Sequence, residues 1–102
     1  VIILEEAMQI QERIWGNDSL ESTSTLHNLA SAYHELSNIN SEFLDFAKEL
    51  YHKTLEIREK YLPRNHPDIA ETSGQLGLLY DDIGDKQNSL LYLVVYHSSL
   101  SF

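Results

Sequence analysis

The stretch IQERIWGNDSLESTSTLHNLASAYHELSN (residues 10–38) lies without a gap on IREKYLPRNHPDIAETSGQLGLLYDDIGD (residues 57–85), an offset of 47 residues. Across residues 4–38 only five of 35 aligned pairs are identical: Ile10/Ile57, Glu12/Glu59, Thr25/Thr72, Leu29/Leu76 and Tyr33/Tyr80. Conservative pairs hold the same register, among them Met8/Leu55, Arg13/Lys60, Ala30/Gly77 and Leu36/Ile83. A helix–turn–helix unit that cannot bury its apolar face alone must stack on a neighbour, so a period in this range marks an all-α solenoid. Such folds usually bind rather than catalyse.

The periodicity predicts helices over residues 2–15, 20–37, 42–62, 67–84 and 86–99, with few strand signals. Their order is B, A, B, A, B of a two-helix repeat. Ser19 and His66 stand in equivalent places before the two A helices, with Pro67 where a missing N–H costs nothing and Asp68 and Glu71 at the positive helix end. Gly84-Asp85 and Ser37-Asn38 are the matching C-terminal stops, since Gly and Asn tolerate the left-handed conformation. In the A helices one apolar stripe runs through Leu26, Leu29, Ala30, Tyr33 and Leu36, and another through Leu76, Gly77, Tyr80 and Ile83. Ala30 and Gly77 are small enough to let the following B helix approach, and the tyrosine one turn on fills the space beside it. The B helix over residues 42–62 brings Phe43, Phe46, Ala47, Leu50, Tyr51, Thr54, Leu55, Ile57 and Tyr61 as the complement.

These residues resemble a tetratricopeptide repeat of the longer-linker variety found in kinesin light chains and nephrocystin-like arrays. LEIREKYLPRNHPDIAET followed by LGLLYDDIGD is similar to that subfamily, as is Thr25-Leu26-His27-Asn28-Leu29-Ala30 to its T-L-N-N-L-A stretch and residues 13–18 to its linker. The resemblance covers roughly residues 4–93. It implies antiparallel helix pairs stacked as a right-handed α-solenoid that scaffolds protein–protein contacts. It also implies a family spacing of about 42 residues, and the five additional residues fall near positions 38–42, where a longer loop or an extra helical turn is expected. The last helix departs further: Lys86 replaces an aromatic, and LLYLVVY (residues 90–96) is apolar all round. Either a following repeat covers it or it is a β-prone hazard. The chain therefore reads as one repeat-domain fragment, with residues 1–15 a partial repeat, 19–62 a full repeat with an enlarged loop, and 66–99 a second.

By the same resemblance the ligand groove is the concave face lined by A helices. His27, Asn28, Ser31, His34 and Glu35 fall there in the first repeat, and Glu71, Gly74, Gln75, Leu78, Asp81 and Asp82 in the second. The groove reads as acidic, suited to a peptide or helix carrying Lys or Arg. A merely solvated acidic face is the competing reading. Asn28 and Gln75 share one slot, where the family more often uses the amide to bond a neighbouring helix. If the resemblance extends to function, the partners are kinesin heavy chain or cargo adaptors; the alternatives are a structural or oligomerisation repeat and a sensor region of a larger signalling protein.

Other chemistry finds little support. A net charge of −9 opposes both nucleic-acid and anionic-membrane binding. No cysteine is present, which suits a reducing, cytoplasmic setting, and no apolar run approaches the roughly 20 residues of a membrane span. His27 and His34, two helical turns apart, cannot reach one metal ion together. Asp81-Asp82-Ile83-Gly84-Asp85 lacks the alternation of a calcium loop, and Tyr92 stands where its bidentate Glu belongs. No phosphate loop, cysteine nucleophile, G-x-S-x-G or H-E-x-x-H occurs, so neither enzyme activity nor a cofactor is expected. Asn17-Asp18-Ser19 matches a glycosylation sequon and reads as a linker and cap.

Overall fold

The computed structural model describes Glu5, Glu6, Gln9 and residues 19–100. The expected helix over residues 2–15 and the linker over 13–18 lie largely outside them; Glu5, Glu6 and Gln9 are helical. A 3-10 turn, Leu20–Ser22, leads into α1 (Thr23–Leu36), followed by α2 (Glu42–Tyr61), α3 (Pro67–Ile83) and α4 (Lys86–Leu100). Each helix packs on the next, α1 on α2, α2 on α3 and α3 on α4, so α2 is held from both sides. This is the helix-by-helix stacking of an all-α solenoid.

The stripes meet as their spacing requires. Leu26, Leu29, Leu76 and Leu79 are at most 1% exposed, each contributing about 1.5–3 kcal/mol by leaving water. Ala30, Ala47, Tyr51, Leu55 and Ile69 join Leu76 and Leu79 in the core, with Tyr33 and Tyr80 packed against it. Close approach explains the small residues. A Cβ on Gly77 would come within 3.1 Å of Leu93, while Ser89 Oγ donates to the Gly77 carbonyl at 2.9 Å. On α2, Phe46 and Tyr61 are about half exposed, so the expected complement is narrower than the sequence stripe.

The helix ends differ between repeats. His66 caps α3 through Nδ1, which accepts from the Asp68 N–H at 3.0 Å, with Pro67 as the first helical residue. Ser19 makes no such bond; the helix enters by a 3-10 turn in which the Ser22 hydroxyl donates to the Ser19 carbonyl at 2.8 Å. Gly84 is left-handed at φ 90°, and the Asp85 N–H returns to the Tyr80 carbonyl at 2.9 Å. Ser37-Asn38 does not repeat this: Ser37 is right-handed and no non-glycine residue among those described has positive φ. The five residues between α1 and α2 let the chain turn gradually, whereas α3 and α4 are joined by Gly84 and Asp85 alone. A two-residue connection needs the sharp reversal that glycine supplies. Asp85 then starts α4, its carboxylate accepting from the Asn88 N–H at 3.1 Å and the Asn88 amide at 2.8 Å. Residues 90–96 are helical, and Leu90, Leu91 and Val94 are more than half exposed.

Candidate functional site

Two cross-helix pairs link α1 to α3. His27 Nε2 lies 3.5 Å from Glu71 Oε1, and His34 Nε2 lies 2.7 Å from Asp82 Oδ2. The histidines are largely covered, at 13% and 18% side-chain exposure, and the carboxylates are open, at 52% and 60%. Four expected groove residues thus meet in two rungs across the repeat boundary. Asp81 turns to Lys86 of α4 instead. Glu35 is exposed beside this face, and Asn28 is exposed with no hydrogen bond to any described residue. The expected amide bond from Asn28 or Gln75 to a neighbouring helix is absent among the described residues; Asn28 points to solvent and Gln75 lies in a cavity wall.

Beneath the first rung sits a residue that the groove pattern omitted. Arg58 of α2 is 3% exposed, and its Nη1 donates to the Asp68 carbonyl at 3.2 Å, to Glu71 Oε1 at 3.2 Å and to Thr72 Oγ1 at 2.9 Å. Glu71 is therefore tied to a buried cation on one side and to His27 on the other. The first rung thus has a permanent counter-charge in Arg58, which lies beneath it on α2 rather than at a groove position. A charged residue at position 58, in step with Tyr51, Thr54 and Leu55 on the buried side of α2, was the signal available in the sequence.

Tyr51 is fully buried and meets His27 edge to face at 5.3 Å between ring centroids. Its hydroxyl lies near Ser31 without reaching hydrogen-bond geometry, and it has no partner; neither has His27 Nδ1. Burial holds the His27 pKa below its usual 6.5, with Arg58 adding to the effect and Glu71 opposing it. Burial likewise raises the Tyr51 hydroxyl. No group of three or more metal-ligating side chains occurs among the described residues, and neither groove histidine hydrogen-bonds a serine or threonine hydroxyl there.

From Glu71 the face continues into a cavity of about 300 Å³ walled by Glu71, Gly74, Gln75, Leu78, Leu93 and Tyr96. Gly74 makes it: a Cβ there would lie 3.2 Å from the Tyr96 ring, so the aromatic lies flush on the α3 backbone. Leu78 is 54% exposed at the rim. Three larger clefts hold none of the expected groove residues: two, of about 410 and 470 Å³, lie against α4 residues such as Val94, and one of about 310 Å³ lies between α1 and α2 beside Tyr33 and Phe46.

Residues 22–68, which span α1, α2 and the entry to α3, match the model of the tetratricopeptide repeat family. The fold is that of a tetratricopeptide repeat array. No curated protein matches the chain. Tetratricopeptide repeats generally mediate protein–protein interaction. Among the described residues, no helix of this repeat array is long and apolar enough to cross a membrane.

Proposed function

We propose that this chain is a cytoplasmic protein-interaction scaffold that receives an extended peptide or a helix along the face shared by α1 and α3, and that it serves as a kinesin-light-chain-like cargo adaptor. The observation that carries the binding reading is the continuity of the two rungs with the Glu71–Tyr96 cavity, which offers polar and apolar contacts in one line. Side-chain seats beside half-exposed hydrogen-bonding groups are what an extended ligand needs for affinity and register. Ser31, Glu35 and Asn28 flank this line on α1, and Gln75, Leu78, Asp81 and Asp82 on α3. The likeness of residues 55–85 to kinesin-light-chain repeats supports the adaptor role, with motor heavy chain or cargo adaptors as partners.

Selection of random displayed peptides on the chain, counter-selected on Gln75→Lys plus Leu78→Glu, tests the groove. Peptides retained only by the unaltered chain support it; a set that binds both proteins equally overturns it. Co-precipitation of motor heavy chain with the parent protein, lost in the same double variant, tests the adaptor role.

A second reading has its own observation. Leu90, Leu91 and Val94 are exposed on α4 with 64%, 54% and 62% of their surface free, which favours stacking on another repeat or another chain.

A further inference from the structure

We infer that the Glu71–Tyr96 cavity is a seat for a single arginine side chain of the partner, a deepening that rests on the groove reading above. Its walls suit an amphipathic side chain. Leu78, Leu93 and the Tyr96 ring form an apolar passage for a methylene stem, while Glu71 and the Gln75 amide provide polar groups along the same wall. The recorded contacts of Glu71 with Arg58 and His27 all fall on Oε1, so Oε2 remains for a ligand, and the side chain is 52% exposed. Arg58 holds the carboxylate from below, fixing its position before any ligand arrives. Arg58 also offsets one negative charge; the preference for a cation comes from Oε2 together with Glu35 and Asp82 on the same face and a chain net charge of −9. A guanidinium is planar, donates in a fork and stacks on an aromatic face, which a lysine ammonium does not match.

The probe is the pentapeptide Ac-Ala-Ala-Arg-Ala-Ala-NH2, titrated into the isotope-labelled chain beside its citrulline and norleucine analogues, with backbone amide shifts as the readout. Citrulline keeps shape and hydrogen bonding but removes the charge; norleucine keeps only the stem. The seat predicts shifts at Glu71, Gln75, Leu78 and Tyr96, with the arginine peptide at least about tenfold tighter than citrulline, a preference that shrinks with added salt. Glu71→Gln removes that preference. Leu78→Ala, an exposed position that leaves folding alone, weakens both arginine and citrulline peptides. Citrulline or norleucine binding as tightly as arginine at these amides overturns the arginine seat and leaves the groove standing. No shift at these amides with any peptide overturns both.

Discussion

Arg58 decides the electrical character of the candidate site, because it converts Glu71 from a free surface charge into an oriented one. Its guanidinium reaches the Asp68 carbonyl, Glu71 and Thr72 from a position 3% exposed, so α2 is tied to the first turn of α3. Arg58→Ala deletes these bonds and leaves a void, but the half-exposed Glu71 can rehydrate, so the loss is set mostly by packing. We expect about 2 kcal/mol in urea unfolding, and about half that for Arg58→Met, which keeps the volume. Equal losses for both variants would show that charge rather than packing holds the contact. In the sequence Arg58 is one charged residue among many on a helix, and only its step from Thr54 marks it as inward-facing. The pairing of His27 with Glu71 and His34 with Asp82 was less legible, since the members of each pair lie 44 and 48 residues apart by sequence number. Which residues share the face follows from helical period; which of them touch depends on how α1 and α3 sit relative to each other.

At the scale of elements, three helices are joined by one aromatic cluster. His52 of α2 lies 2.8 Å from the Tyr80 hydroxyl of α3 and 3.4 Å from the Tyr92 hydroxyl of α4, and the two tyrosine rings stack at 5.5 Å. A neutral imidazole can accept from one hydroxyl and donate to the other; an imidazolium can only donate. Burial, helped by Lys48, holds the His52 pKa below 6.5, as burial does for His27. The folded chain therefore binds fewer protons than the unfolded one, and stability falls as pH drops below 6.5 through the folded values. Unfolding followed from about pH 7.5 to about pH 5 should show this decline, shallower in His52→Gln and shallower still when His27→Gln is added. A profile unchanged by both substitutions would locate the dependence elsewhere. The element ends show where sequence reasoning holds. Gly84 before a two-residue connection permits one conformation, and the chain adopts it. Ser19 and Asn38 each had alternatives, a 3-10 entry and a wider turn, that local chemistry alone does not rank. His66 took the capping role through a ring nitrogen, outside the usual list of hydroxyl and carboxamide caps.

At the scale of the whole molecule the described chain is a slab of 35 × 34 × 14 Å, and its two sides end differently. The α2 helix lies between α1 and α3, whereas α4 packs mainly on α3 and meets α2 through Tyr92 and His52. Counting from Ser89, which takes beside Gly77 the place of Ala47 in the first repeat, Leu90, Leu91 and Val94 stand where α2 carries Lys48, Glu49 and His52. Of the three α2 residues Glu49 is exposed and His52 faces the tyrosines of the following helices, whereas the matching α4 positions are apolar and open. Together these exposed side chains form a patch whose burial would be worth about 25 cal/mol for each Å² of apolar surface covered. Sedimentation velocity of the unaltered chain over about 10–200 μM should then show association that rises with concentration. Leu91→Lys plus Val94→Lys should abolish it while leaving the far-ultraviolet spectrum intact, with a stability change within about 0.5 kcal/mol, as expected for exposed positions. Association that persists in the double variant would assign contact to another face, such as the Glu71–Tyr96 groove. Monomers in both proteins would mean that the patch is too small to hold a second copy, and the stacking reading would fall.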